Sequence, residues 1–254
     1  MHQAIGVPQA QHRRHLNSKV AVALLLTFAA GCVDVVGYLA LYHAFTAHMT
    51  GETVHLAHNL SSAQWPRAFR AACVIAAFLL GSVLGRTVIE IGARTRTRSI
   101  ASATLLLEAA LLAGVIPLAG GHVDRTLALG LLAMLAAAMG LQTATLTRVG
   151  SLTVHTTFVT GMLNKLAQLL SQGLFLTYDH SRGRDTAAQR QHIVRRTQFI
   201  ASIWVMYFVG AAAGVRMDNA WGLRSLLAPV ALVCVAILMD QIAPLSLEEE
   251  REEP

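Results

Sequence analysis

The amino-acid sequence predicts an all-α membrane protein. Six transmembrane helices are laid out as two inverted three-helix repeats, each with an extra Thr-Gly-containing segment that is re-entrant or a short helix. Three observations predict it. The apolar residues fall in blocks about 20 residues long, the length needed to cross ~30 Å of hydrocarbon. A mixed polar and apolar segment recurs 110 residues further along the chain. The basic residues gather on alternate sides of the apolar blocks.

Of the 254 residues, 54% are hydrophobic and 13% charged. A soluble domain carries roughly 25% charged residues, so half the usual solvating surface is missing. Lipid offers the backbone no hydrogen-bond partners, so a spanning segment is a helix or a closed barrel. Barrel strands alternate apolar and polar side chains, and these blocks do not. The net charge of +6 sits in arginines between the blocks, as the orientation of a membrane protein requires. No basic patch interleaved with aromatics appears, which excludes nucleic acid as a partner. Cys32, Cys73 and Cys234 lie inside apolar blocks without CxxC spacing, so neither a disulfide frame nor a zinc site is expected.

Taken in order, residues 1–19 are polar and are expected to form a disordered cytoplasmic N-terminus. The first span is predicted at Val20–Tyr42, with Asp34 its one charge. Ala29-Ala30-Gly31-Cys32 resembles a lipoprotein cleavage site, yet the apolar run continues past it, so the span is expected to stay in the protein. The second span is Phe69–Ile89, and the third Ser99–Ala119 with Glu108 in its middle. The uncharged fourth is Thr126–Thr147. A basic stretch, 180–196, precedes the fifth at Gln198–Val215, and the sixth is Asn219–Met239. The first repeat is assigned to 20–121, the second to 122–243, and an acidic C-terminal tail to 244–254.

Segments 45–62 and 153–178 carry too many polar groups for lipid exposure, and they resemble each other. A shift of 110 residues brings Thr46, Thr50, Gly51, Leu56, Ala57, Leu60 and Ser61 onto Thr156, Thr160, Gly161, Leu166, Ala167, Leu170 and Ser171. Gly31 meets Gly140 at nearly the same offset, and Gly81-x-x-x-Gly85 in the second span answers Gly210-x-x-x-Gly214 in the fifth. These matches in one order argue for an internal duplication. With six spans and a cytoplasmic N-terminus, 14 basic residues face the cytoplasm and 5 (Arg67, Arg70, Arg125, Arg216 and Arg224) face outward. Eight spans would place Arg94, Arg96 and Arg98 outside, against that rule. Three spans per half is odd, so the halves are expected in opposite orientations, a recurring transporter plan with its site at the repeat interface.

The run Gly31-Cys32-Val33-Asp34 through Phe45-Thr46-Ala47-His48-Met49-Thr50-Gly51 resembles the signature of the YoaK family, a bacterial membrane family catalogued as a domain of unknown function (DUF1275). Val159-Thr160-Gly161-Met162-Leu163-Asn164-Lys165-Leu166 is similar to that family's second motif. The likeness covers about 18–240. It implies six spans, and some members carry the label of small-molecule transporter. The family usually shows Asn after the first Thr-Gly, where this chain has Glu52.

A carboxylate in mid-span costs at least ~2.5 kcal/mol to insert and usually faces a partner or a watery cavity. Asp34 and Glu108 are therefore candidates for proton or cation coupling. The alternative for Asp34 is a packing bond to His48 or Gln142. Thr50-Gly51 and Thr160-Gly161 are candidate bends, glycine easing the backbone and threonine capping a helix N-terminus. The helix dipoles and Lys165 would then favour a small polar or anionic solute. The alternative is close helix packing by small residues, the reading adopted for the two GxxxG pairs, which also suit homodimerisation. His48, His55 and His58 lack a completing carboxylate of the HExxH kind, so no metal and no cofactor is expected.

The expected function is a small-molecule transporter of the bacterial inner membrane, both termini cytoplasmic, substrate open. Its pathway residues would be Asp34, His48, Thr50, Gly51, Glu52, Glu108, Gln142, Thr160, Gly161, Asn164 and Lys165. The alternative is a structural or regulatory membrane subunit without transport. An intramembrane enzyme would need a nucleophile–base pair or a metal set, and no GxSxG, HExxH or paired carboxylates occur, so the chain is expected not to be an enzyme.

Overall fold

In a computed structural model the described residues are helical almost throughout. The structure describes residues 9–95, 99–118, 123–145, 148–149, 152–154, 156–180 and 187–244. The acidic tail assigned to 244–254 therefore lies, apart from residue 244, outside the described residues, as do Arg96, Arg98 and residues 1–8.

Helix α1 spans Gln9–Ala40, α2 Met49–Ser61, α3 Trp65–Arg94 and α4 Ile100–Leu118. There follow α5 Arg125–Thr145, a two-residue antiparallel ladder (β1 Arg148–Val149 with β2 Leu152–Thr153), α6 Val159–His180, α7 Ala187–Trp221 and α8 Leu227–Ile242. Among the described residues, five stretches are long and apolar enough to cross a membrane; the last, Ala187–Ile242, is 56 residues and contains both α7 and α8.

The helix ends differ from the hydropathy reading for physical reasons. Helix α1 starts at Gln9, so part of the tail assigned as disordered is helical. A helix keeps its backbone bonds after it leaves lipid, and polar side chains are then no obstacle. Similarly α7 begins at Ala187, eleven residues before the predicted fifth span, and ends at Trp221, six residues beyond Val215. Gly222 takes φ +57, a conformation glycine adopts freely, and it opens the 3-10 turn Gly222–Leu226 that separates α7 from α8.

Four glycines set the closest helix contacts. A methyl group on Gly31 of α1 would collide with the Tyr207 carbonyl of α7, and one on Gly210 of α7 with the Phe28 carbonyl of α1. Helices α3 and α5 repeat the arrangement: Gly140 meets the Phe78 carbonyl and Gly81 the Ala137 carbonyl. Gly85 and Gly214 complete these seams against Leu141 and Cys32. The GxxxG pairs expected to serve homodimerisation are thus consumed inside the chain, as small residues at intramembrane helix contacts usually are.

The core is centred on α1, α4 and α5, with Leu26, Leu105, Leu112, Leu132, Leu135 and Met139 fully buried, and α7 and α8 add Ile200, Ile203 and Val233. Helix α4 is tied to α8 at one end, where the buried Asp240 carboxylate accepts the Ser102 N–H (2.9 Å) and Oγ–H (2.6 Å). That carboxylate satisfies one of the orphan donors in the first turn of α4. Leu79, Leu80, Val83 and Leu84 of α3, Leu174 and Phe175 of α6 and Phe208 of α7 are all exposed. Soluble monomers rarely expose contiguous apolar surface of this kind. In a bilayer such a surface needs no cover.

Candidate functional site

Between α1 and α2 the chain turns back on itself. Tyr42 and His43 take left-handed φ values of 59 and 52, reversing the direction, and residues 44–48 then run alongside α1. Asp34 holds them there. Its Oδ1 accepts the Thr46 N–H (2.7 Å), the Thr46 Oγ1–H (3.1 Å) and the Ala47 N–H (2.9 Å), and its Oδ2 accepts the Tyr207 O–H (2.6 Å) of α7. Asp34 lies six residues before the end of α1, roughly 9 Å along a helix axis. The first bend therefore dips well below the end of that helix before α2 leads back. His48 and Gln142, the anticipated partners of Asp34, make no hydrogen bond to it.

The second bend is held by a neutral version of the same device. Gln142 Nε2 donates to Thr156 Oγ1 (2.9 Å) and to the Leu26 carbonyl of α1 (2.9 Å), and Thr143 Oγ1 shares a hydrogen bond with Thr157 Oγ1 (2.6 Å). Thr156 and Thr157 stand 110 residues beyond Thr46 and Ala47, the positions that Asp34 holds.

Each bend opens into a helix whose first turn contains the Thr-Gly pair: Thr50-Gly51 in α2 and Thr160-Gly161 in α6. The structure corrects the expected roles of both residues. At the start of α2 the N-cap is His48, whose side chain makes no capping bond, and Thr50 is not the cap. Neither Gly51 nor Gly161 has positive φ. Their service is space: a methyl on Gly51 would strike the His48 ring, and one on Gly161 the Phe158 ring. In both bends a ring three residues earlier folds over the helix start.

The two bends face one cleft of about 290 Å³. Residues 47–50 form one wall and 157–160 the other, with Phe78 and Thr143 between them. The N-terminal ends of α2 and α6 thus point at the same space, where backbone N–H groups without helical partners favour negative or polar atoms. Its side-chain hydroxyls come from Thr50, Thr143, Thr157 and Thr160, and His48 adds an imidazole.

Of the residues expected to line a shared cavity, His48, Thr50 and Thr160 do so, and Asp34 stands directly behind, bonded to Ala47 of the wall. Gln142 braces the second bend. Asn164 and Lys165 lie further along α6 and do not line the cleft, and Lys165 is close enough to Arg196 for their charges to repel. Glu108 is fully buried in α4, its two carboxylate oxygens without hydrogen-bond partners. Glu52 is buried on the other side of the bend, where Oε1 accepts the Phe45 N–H (2.8 Å) and sits 3.4 Å from His55 Nδ1. Its carboxylate ties the two limbs of the bend together and borders a second, larger cavity.

Sequence reading passed over Thr143, Thr157, Phe158 and Tyr207. The first three carry a signal: the 109-residue offset that pairs Gly31 with Gly140 sets Thr143 against Asp34, and the 110-residue offset sets Thr157 and Phe158 against Ala47 and His48. Tyr207 carries none, because its bond joins residues 173 positions apart. Among the described residues, no group of three or more His, Cys, Asp or Glu side chains is placed to hold a metal ion.

Apolar helices of spanning length, a lipid-compatible surface, and buried polar side chains such as Asp34, Gln142 and Asp240 set in an apolar core define a multi-pass helical membrane protein. Residues 22–239 match the family described as "Protein of unknown function (DUF1275)". The chain belongs to that family, as the Gly31–Gly51 and Val159–Leu166 motifs indicated. It is similar to the "UPF0700 transmembrane protein YoaK" of Bacillus subtilis (strain 168), with 28% identity over 187 residues, covering 74% of this chain and 78% of the relative. No solved structure matches the chain.

Proposed function

We propose that the protein is a small-solute transporter of the bacterial inner membrane, not an enzyme, with both termini cytoplasmic and with the cleft between the two bends as its solute site. One observation carries this reading: two interrupted segments from different halves of the chain present their helix starts to one polar cleft of about 290 Å³. Broken helices converging on a midplane site are how many carriers bind solute. Two inverted repeats of three spans are part of the proposal. The reciprocal seams Gly31–Tyr207 with Gly210–Phe28, and Gly140–Phe78 with Gly81–Ala137, support it. So do the ring-over-glycine pairs His48–Gly51 and Phe158–Gly161.

Asp34 is occupied by four donors and is better suited to holding the bend than to carrying protons. Coupling, where present, falls to Glu108, whose buried carboxylate has no hydrogen-bond partner. The solute class favoured by two helix N-termini and threonine hydroxyls is small and polar or anionic.

The test uses Thr160→Cys in a chain whose native cysteines are replaced by alanine. A membrane-impermeant thiol reagent is applied to sealed vesicles of each orientation. A carrier presents its site alternately to both sides, so labelling from both is expected. Protection of Cys from one side under all conditions would support the rival reading, a structural subunit.

A further inference from the structure

We propose that the second cavity, about 1050 Å³ and placed where α1 ends and α3 and α5 begin, is a receptor for a small oxyanion, held by the guanidinium groups of Arg67, Arg70 and Arg125. The site is separate from the cleft between the bends, and a chain that transports nothing would still bind there.

The arginines come from two helices. Arg67 and Arg70 are three residues apart in the first turns of α3, hence neighbours on one face, and Arg125 opens α5. All three border the cavity. They also share one electrostatic neighbourhood: the charge of Arg70 is repelled by Arg67 and Arg125 and attracted by Glu52. Three like charges around one space are unfavourable unless something neutralises them. Within the chain that compensation is incomplete. Among the described residues Glu52 is the one acidic residue on the wall, and its Oε1 is already committed to the Phe45 N–H. Among the described residues no carboxylate lies within 4.0 Å of any of the three guanidinium groups, whereas Arg86 and Arg94 at the other end of α3 both reach Glu90, at 3.3 and 3.6 Å.

The guanidinium groups are also oriented. Arg67 donates to Gln64 Oε1 (2.6 Å), and Arg70 sits 5.0 Å above the centre of the Tyr42 ring. Anchoring of this kind leaves the remaining N–H groups directed and lowers the entropy lost on binding. Planar guanidinium forks match carboxylate and phosphate oxygens in pairs. The cavity is concave and large enough for a small organic acid or a phosphate group. Low-dielectric walls from Tyr38, Phe69 and Leu129 concentrate the field of the three charges. The ligand chemistry is therefore that of a carboxylate or phosphate group, either as a free anion or as the headgroup of an anionic phospholipid entering from the side.

The full chain is reconstituted in nanodiscs of phosphatidylcholine and titrated calorimetrically with inorganic phosphate and, separately, with succinate, chloride being the background anion. Saturable binding of at least one is expected. Arg70→Gln and Arg125→Gln should each weaken it about tenfold or more, since a charge-assisted bond is lost, while Arg224→Gln leaves it unchanged. Elution profile and thermal unfolding of each variant establish that it is folded, and Arg125, exposed at a helix start, is the variant least coupled to folding. Repeating the titration with phosphatidylglycerol in the disc identifies the source: competition assigns the site to a lipid headgroup, and undiminished binding to a free anion. Absence of saturable binding by either anion in phosphatidylcholine, or equal affinity in folded Arg70→Gln and Arg125→Gln, would overturn the proposal.

Discussion

Replacing Asp34 removes the clamp that holds the first bend against α1, and the structure sets the scale of the damage. Asp34→Ala leaves the buried N–H groups of Thr46 and Ala47 without acceptors, and it strips the Tyr207 hydroxyl of its partner. An orphaned buried donor costs ~1–3 kcal/mol, and hydroxyls that can turn elsewhere cost less, so the sum is about 3–5 kcal/mol. Asp34→Asn is different. Its Oδ1 can keep all three bonds from Thr46 and Ala47, now to a neutral acceptor, and its amide can donate to the Tyr207 oxygen. Neutral bonds are roughly half as strong as charge-assisted ones, so a loss of about 1–2 kcal/mol is expected. The assay is equilibrium unfolding in dodecyl maltoside titrated with dodecyl sulfate, followed by the fluorescence of Trp65, Trp204 and Trp221. An Asp34→Ala protein within 1 kcal/mol of the parent, or an Asp34→Asn protein as damaged as Asp34→Ala, would refute the clamp.

The same unfolding assay checks three further expectations. Gly140→Ala drives a methyl into the Phe78 carbonyl and should cost about 2 kcal/mol or more, whereas Gly130→Ala, with nothing within 4 Å, should be neutral or gain up to ~1 kcal/mol. Glu108→Met should be neutral or stabilising by up to ~2 kcal/mol, because it replaces a buried, unbonded carboxyl with apolar volume; a marked loss would reveal a partner for Glu108. Asp240→Ala should cost ~2–3 kcal/mol through the two lost bonds to Ser102, with Asp240→Asn intermediate.

Hydropathy located the apolar helices because lipid imposes one requirement, about 20 apolar residues in a row. It misplaced their ends because water imposes none: α1 and α7 continue as helices through polar sequence. Asp218 and Arg216 read as a loop, although the chain breaks only at Gly222, where the backbone itself changes hand. The likeness between segments 45–62 and 153–178 pointed to the two bends, where His48, Thr50 and Thr160 line one cleft. What the bends are fastened to was not legible. Asp34 reaches residues 12 and 13 positions ahead and one 173 positions away, contacts decided by how the loop reverses at Tyr42 and His43 and by the Gly31–Gly210 seam. Arg67, Arg70 and Arg125 read only as orientation signals, since their common cavity exists once α3 and α5 have packed. Glu52 and Lys165, joined to one pathway because they lie in the Thr-Gly segments, do not line the cleft: Glu52 borders the larger cavity and Lys165 lies further along α6.

Whether the two bends meet is decided most directly by cross-linking Thr50→Cys to Thr160→Cys with a short bifunctional thiol reagent in native membranes, after replacing Cys32, Cys73 and Cys234 by alanine. Both positions border the cleft of about 290 Å³, so an intramolecular cross-link should form readily, while Thr87→Cys on the outer face of α3 should not join Thr160→Cys. A Thr50→Cys/Thr160→Cys protein that reacts singly at each thiol yet never closes the bridge would contradict the account.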